Sequence, residues 1–262
     1  INMNIRNFFD SSVVSKEFFT KETMDAEVVR IPFHEFSGLE LQGNIGENNY
    51  LYIKKSDYTY FSLNKKKFIN VHNWSPSPLT DTQIFLLSRT GVINVRTRSS
   101  GGRIIIGHNF KGSFEARIIN ADSVLVLGDD VTCHGTRYQI HGNGIYIGRR
   151  CLFSEEVIIQ GHDAHAIIDL TNNEVINSGD KITKISSYVW IGRRVTIMPG
   201  SYVGKGSVIG ATSTVTKTIP PFSLAVGVPA RVIKSNISWC RTRDEFDEKS
   251  KKIIEQLSSI NN

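Results

Sequence analysis

Aliphatic residues return every six positions in the C-terminal half of the chain. The residues in phase are Ile185, Ile191, Ile197, Val203, Ile209 and Val215. Glycine directly follows three of these residues, and valine or serine occupies the position four residues further along the chain. A period of six differs from the 3.6 of an α-helix and the two of a β-strand. It predicts a parallel β-helix of hexapeptide repeats, in which three hexads close one triangular coil and stacked coils bury a continuous core.

The six-residue phase also holds at Ile147, Phe153 and Ile159, breaks there and resumes at Ile185. Residues 160–184 are too many for one side of a coil, so they predict a projecting loop. Long loops on a rigid scaffold often carry functional residues. This loop contains His162 and His165, and histidine can act as a base near neutral pH.

The remainder of the chain divides into less regular parts. Residues 81–239 are predicted to form the β-helix domain, and residues 1–80, which lack the period, a small β-rich N-terminal region. Residues 240–262 predict an amphipathic C-terminal helix, with apolar positions at one side, that packs on a neighbouring subunit or on the N-terminal region. Cys133 lies six residues after Leu127 and is predicted to point into the core, with Cys151 in a small-residue slot.

Charge is distributed unevenly along the chain. The formal net charge is +6, yet no Asp or Glu occurs between Lys181 and Arg243. A nucleic acid, plain solvent or a phosphorylated cofactor would each suit this basic stretch. The phosphorylated cofactor is favoured over nucleic acid, because the aromatic residues that single-strand binders use are sparse here.

Cysteine content and hydropathy bear on the cellular compartment. The chain has three cysteines, an odd number without motif spacing, which argues against a disulfide framework. No apolar run approaches a membrane span, and the N-terminus lacks the apolar core of a signal peptide. These features predict a cytoplasmic protein without a membrane span.

Two C-terminal segments carry a family resemblance. The sequences VWIGRRVTIMPG and VIGATSTVTKTIPPFSLAVGVPARVIK resemble the hexapeptide acyltransferases with a left-handed β-helix. These include maltose, galactoside, antibiotic and bacterial surface-glycan O-acetyltransferases. The resemblance spans roughly residues 107–239, and it implies a left-handed coil, acetyl-CoA as co-substrate and a homotrimer with active sites between subunits.

The projecting loop is similar to two patterns within that family. The surface-glycan enzymes have the form Asp-x-His-x-Ile-x-Asp followed by Ile-Asn, and the matching positions here are Asp163, His165, Ile167, Asp169, Ile176 and Asn177. This match implies His165 as the catalytic base. The maltose and galactoside enzymes have Gly-His-Pro-x-His, and that pattern would make His162 the base instead. The downstream matches favour His165.

The resemblance implies direct acetyl transfer, in which His165 takes a proton from an acceptor hydroxyl as that hydroxyl attacks the thioester. Asp163 would orient the imidazole, although an aspartate in a loop can equally bond its own backbone. Trp190 points off the coil. It would pack at the catalytic centre, against a neighbouring subunit, or both.

Coenzyme A contacts and the absence of a metal also follow from the resemblance. The positions that match cofactor contacts are Arg193, Gly210, Ala211, Thr216, Lys217, Arg231 and Lys234. Arg193 stands where galactoside-type enzymes have a small polar residue, so its role departs from the pattern. A γ-carbonic-anhydrase-like zinc enzyme would need three converging histidines, whereas His162 and His165 are three apart rather than five.

The function predicted from the sequence is acetyl-CoA-dependent O-acetylation of a sugar hydroxyl, with a bacterial capsule or lipopolysaccharide as the first choice of acceptor. The alternatives are an antibiotic or amino-sugar N- or O-acetyltransferase, a zinc hydratase, and a solenoid that binds or assembles without catalysis.

Overall fold

A computed structural model describes residues 3–64, 66–142, 144–179 and 181–259. The chain forms a left-handed parallel β-helix of about seven turns followed by a C-terminal helix, so the predicted fold class is confirmed. Each turn presents three faces, here called the first, second and third face in chain order. The edges between them are named by the two faces that meet.

The strands stack in ladders along these faces. The first face comprises Val28–Pro32, Tyr50–Lys54, Gln83–Leu86, Arg103–Ile106, Val124–Leu127, Gly144–Ile147, Thr183–Ile185 and Tyr202–Val203. The third face comprises Leu39–Gly43, Ile69–Asn73, Val92–Thr97, Ile158–Gln160, Thr196–Ile197 and Thr214–Val215. The second face comprises Leu152–Phe153, Trp190–Ile191, Val208–Ile209, Ser223–Val226 and the antiparallel Arg231–Ser235. Two long strands, Lys111–Asn120 and Thr132–His141, bend across the second–third edge.

Every residue of the six-residue phase from Ile185 to Val215 is fully buried in one continuous core. Cys133 and Cys151 are buried in the same core, as predicted. Burial raises the pKa of the Cys133 thiol to about 11 and that of Cys151 to about 12. Both side chains are therefore neutral thiols at pH 7, which suits packing and not nucleophilic chemistry.

Glycines at the edges allow successive turns to stack closely. A Cβ added at Gly148 would lie 2.5 Å from the backbone nitrogen of Ser187 in the next turn. One added at Gly204 would lie 2.4 Å from the nitrogen of Pro221. Backbone atoms cannot move aside as a flexible side chain can, so the repeat requires glycine at these positions.

The sequence suggested that the β-helix begins at residue 81. The parallel strand ladders continue upstream of that residue. Leu39–Gly43 pairs in parallel with Ile69–Asn73, which pairs with Val92–Thr97. The six-residue period is hidden here because longer segments intervene, including the helix Tyr58–Leu63 between two strands. Residues 3–27, with the short helix Lys21–Asp25, form an N-terminal segment that packs on the outside of the first face.

The C-terminal helix, Glu248–Ser259, lies on the second face of its own chain. The sequence had predicted packing on a neighbouring subunit or on the N-terminal region, and the contact with its own second face was not foreseen. Trp239 explains the path, because its indole N–H donates to the carbonyl oxygen of Tyr188 (2.9 Å) while the two rings stack 4.7 Å apart. This contact folds the chain back, and Ile253 packs beside it. Within the described ranges, no helix is long and apolar enough to cross a membrane.

Candidate active site

A loop projects from the third–first edge between Gln160 and Thr183, where the sequence predicted one at 160–184. It contains a two-stranded antiparallel hairpin, Ile168–Asp169 with Glu174–Val175. Most of its side chains are exposed, including Ile167 and Leu170. An apolar, exposed excursion on a regular coil is typical of a segment that meets another molecule.

Asn177 anchors this loop. Its side chain is buried, and its oxygen accepts a hydrogen bond from the backbone nitrogen of Ile167 (2.8 Å). Its amide donates to the carbonyl oxygen of His165 (2.9 Å) and to the carboxylate of Asp163 (3.1 Å). The Asn177 side chain therefore bonds every second residue of this part of the loop and holds the backbone of His165 in place.

Asp163 makes a different contact from the one predicted. Within the described part of the chain, its carboxylate accepts its hydrogen bond from Asn177, and the imidazole of His165 is not its partner. Asn177 links Asp163 to the backbone of His165, because its amide donates to both.

The two histidines of the loop have different surroundings. His162 is half-buried, its Nδ1 contacts the carbonyl oxygen of Asp163, and its ring stacks on that of His141 at 6.0 Å. Burial, followed by the neighbouring His162 and Arg98, lowers the pKa of His141. His165 is exposed on the loop. His165 is thus the more exposed of the two.

Trp190 lies on the second face with its ring pointing outward and 39% exposed, as predicted. Its ring centroid is 6.1 Å from that of Trp239. The two tryptophans border a cavity of about 960 Å³ between the second face and the C-terminal helix, which Lys234 and Phe246 also line.

The predicted cofactor residues fall on three parts of the coil. Gly210 and Ala211 follow Ile209 on the second–third edge, and Arg193 lies on the same edge one turn earlier. Arg193 forms an exposed ion pair with Glu155 at 3.2 Å. This pairing gives Arg193 an intramolecular partner, in keeping with its departure from the family pattern.

Thr216 and Lys217 lie on the third–first edge, where they line a cavity of about 700 Å³ together with Lys181 and Ile182 from the base of the loop. Arg231 and Lys234 belong to the last strand, and both are exposed. The basic side chains of the last turns are thus available to an anionic ligand.

The structure does not bring all the predicted site residues together within one chain. His165 and Lys217 lie at the third–first edge, whereas Trp190 and Ala211 lie at or beside the second–third edge. The third face separates the two groups. The two groups of predicted site residues, one at each edge, are here called half-sites.

Across residues 3–64, 66–142, 144–179 and 181–259, no group of three His, Cys, Asp or Glu side chains converges so as to hold an ion. His141 and His162 stack as a pair.

Sequence reasoning did not identify the structural roles of Asn177, His141 and Trp239. Asn177 appeared only as part of the Ile-Asn match, because spacing cannot reveal that a side chain turns back to bond residues 10 and 12 positions earlier. The contact of Trp239 with Tyr188 spans a still longer separation and left no periodic signal.

Comparison with known proteins supports the interpretation of the coil. Residues 182–217 match the family described as bacterial transferase hexapeptide (six repeats). The chain is 48% identical over 98 residues to the polysialic acid O-acetyltransferase of Escherichia coli O1:K1, covering 37% of this chain and 32% of that protein. It is 35% identical over 141 residues to the galactoside O-acetyltransferase of Escherichia coli K12, covering 52% and 56%. The chain thus spans about a third and a little over half of these curated relatives.

A crystal structure of the polysialic-acid-specific acetyltransferase NeuO is similar over more of the chain. It superposes with a TM-score of 0.62 and 26% sequence identity, covering 85% of this chain and 89% of that one. The repeat match, the sequence relatives and the shared fold agree in their likeness to the hexapeptide-repeat transferases.

Proposed function

We propose that this protein is an acetyl-CoA-dependent O-acetyltransferase that acts on a hydroxyl of an acidic bacterial surface polysaccharide. The observation that carries the proposal is the exposed His165, held by Asn177 on a loop beside the Lys217 edge. The named relatives act on polysialic acid and on galactosides, which supports a sugar hydroxyl as the acceptor.

In the proposed reaction, His165 accepts the proton of the acceptor hydroxyl as its oxygen attacks the thioester carbonyl. Proton transfer by a placed histidine contributes about 10²–10⁴-fold to such reactions. The tetrahedral intermediate is stabilised by a backbone N–H of the cleft. The carbon–sulfur bond then breaks, the thiolate of coenzyme A leaves, and the imidazolium returns the proton to it.

The site is proposed to form between two copies of the chain. In a three-fold assembly with the third faces turned towards the axis, the third–first edge of one copy meets the second–third edge of the next. His165 and Lys217 would then face Trp190 of the partner subunit and the partner's Ala211. Closed three-fold symmetry repeats this contact three times and leaves no half-site unpaired.

Asn177 and Asp163 are proposed as positioning residues. They touch neither substrate nor the reacting atoms, and they act by fixing the loop backbone on both sides of His165. A base must lie within hydrogen-bond reach of the proton it takes, so a loop displaced by about 1 Å can cost on the order of 10²-fold in rate.

Coenzyme A is proposed to lie with its pantetheine against the small Ala211 and its phosphates near Lys217 and Arg231. Charge reversal at Lys217 or Arg231 should raise the KM for acetyl-CoA and leave kcat nearly unchanged, because the phosphates are remote from the carbonyl. Replacing coenzyme A with dephospho-coenzyme A should lower the affinity of the wild type. The same replacement should lower the affinity little further in the variant that has lost the residue contacting the 3′-phosphate. Titration of both cofactors against both proteins checks this, and additive losses at both positions would contradict it.

The function itself is tested by incubating the protein with acetyl-CoA and an oligomer of sialic acid, then measuring acetyl gain by mass spectrometry and free thiol release. Acetylation of the sugar hydroxyl with matching thiol release is expected. A neutral galactoside and an amino sugar serve as comparison acceptors. Transfer only to the amino sugar would replace the proposal with N-acetylation, and thiol release without an acetylated acceptor would reject it.

A further inference from the structure

A groove of about 700 Å³ opens at the first–second edge, between the N-terminal segment and the C-terminal helix. Its charged lining residues are Lys16, Glu17, Arg149, Arg150, Lys184 and Lys205. Five cations and one carboxylate therefore face a single concave surface, away from the third face and both half-sites.

The carboxylate in the groove is already engaged. Glu17 forms an ion pair with Lys184 at 2.6 Å and accepts a hydrogen bond from the Ser186 hydroxyl at 3.0 Å. Lys205 donates to the carbonyl oxygen of Leu257 at the end of the C-terminal helix. The cationic excess in the groove is thus carried by Lys16, Arg149 and Arg150, for which the described residues include no carboxylate within ion-pair distance.

The guanidinium group of Arg149 has a donor without a hydrogen-bond partner among the described residues. One of its terminal nitrogens donates to the carbonyl oxygen of Lys16 at 3.3 Å. Its Nε is buried and, within the described part of the chain, has no hydrogen-bond partner. Burial and then the adjacent Arg150 lower the pKa of Arg149, and the nearby carboxylates of Asp129 and Asp130 offset only part of this shift. A buried guanidinium nitrogen beside a like charge is stabilised when an anion binds, since a bidentate carboxylate supplies both acceptors and counter-charge.

The remaining lining suits a sugar ring. Tyr202 contributes an aromatic surface, and Ile253 and Leu257 form an apolar wall. The hydroxyls of Ser186 and Ser187 also line the groove; both donate to Glu17, and their oxygens remain acceptors. Flat apolar surface with hydroxyl groups and fixed cations is complementary to a saccharide unit that bears a carboxylate.

We propose that this groove binds an acidic saccharide segment, distant from the unit that is acetylated. The proposal rests on the assignment of a surface polysaccharide as acceptor and adds a second contact on the same polymer. In the three-fold arrangement the first–second edge is the corner furthest from the axis, so the groove stays open. A second, tethered contact raises the effective concentration of the acceptor at the catalytic cleft.

Binding of a sialic acid oligomer to the purified protein without acetyl-CoA tests the proposal independently of catalysis. The double variant Arg149→Gln and Arg150→Gln should weaken binding at least about 10-fold, since two charge-assisted contacts are removed. The exposed Lys16→Gln should weaken it less, and it provides a single-charge test that leaves Arg149 and Arg150 intact. Both losses should shrink in high salt.

The matched control is Lys66→Gln with Lys67→Gln, which removes the same charge from an exposed pair outside the groove. In turnover assays, the double groove variant should raise the KM for long acidic acceptors and leave the kcat for short ones unchanged. Equal losses in the control pair, or weaker coenzyme A binding with intact oligomer binding, would overturn the assignment.

Discussion

Replacing His165 with alanine should lower kcat at least about 100-fold, because the acceptor hydroxyl then loses its general base. The KM for acetyl-CoA should change little, since His165 lies on the projecting loop and not among the basic residues of the last turns. Steady-state kinetics with each substrate varied separately gives both constants.

His162→Ala is the matched control, because it removes a histidine from the same loop that is turned towards His141. It should retain most of the turnover. If instead His162→Ala is inactive and His165→Ala has near wild-type activity, the base is His162. That is the assignment that the Gly-His-Pro-x-His alignment implies.

Replacing Asn177 with aspartate should lower kcat by about 10- to 100-fold, because the new carboxylate cannot donate to the His165 carbonyl and repels Asp163. The KM for acetyl-CoA and the melting temperature should stay close to wild type, since the loop lies outside the coil's core. Kinetics and thermal unfolding measured on the same preparation separate a positioning effect from loss of fold.

A second substitution tests the Asn177 contact specifically. Asp163→Asn added to Asn177→Asp restores a donor and an acceptor with their roles exchanged, so part of the lost kcat should return. If the double variant is as slow as the single one or slower, and Asn177→Ala keeps full turnover, Asn177 does not position the base.

The sequence predicted the coil well where one physical constraint repeats. Each inward aliphatic residue from Ile185 to Val215 must fill the same slot in a narrow triangular core, and each edge glycine must clear the backbone of the next turn. Such constraints act between neighbouring turns, so they appear as a period. The upstream turns obey the same packing, but inserted segments such as Tyr58–Leu63 remove the regular spacing.

The features that sequence reasoning missed depend on single contacts between distant residues. Nothing in the spacing shows that Asn177 bonds the backbone around His165, or that Trp239 returns to Tyr188 and lays the C-terminal helix on its own second face. The placement of His165 and Trp190 on different parts of the coil likewise depends on how the strands between them fold into faces, which the six-residue period alone does not show.

The most direct test of the shared catalytic site is subunit complementation. His165→Ala and Trp190→Ala chains, each with a different affinity tag, are co-expressed, and mixed assemblies are purified through both tags. If each site takes His165 from one copy and Trp190 from the next, every mixed trimer keeps one intact site out of about three, and activity far above either parent is expected. Mixed assemblies as inactive as the parent variants would contradict a site formed between two copies.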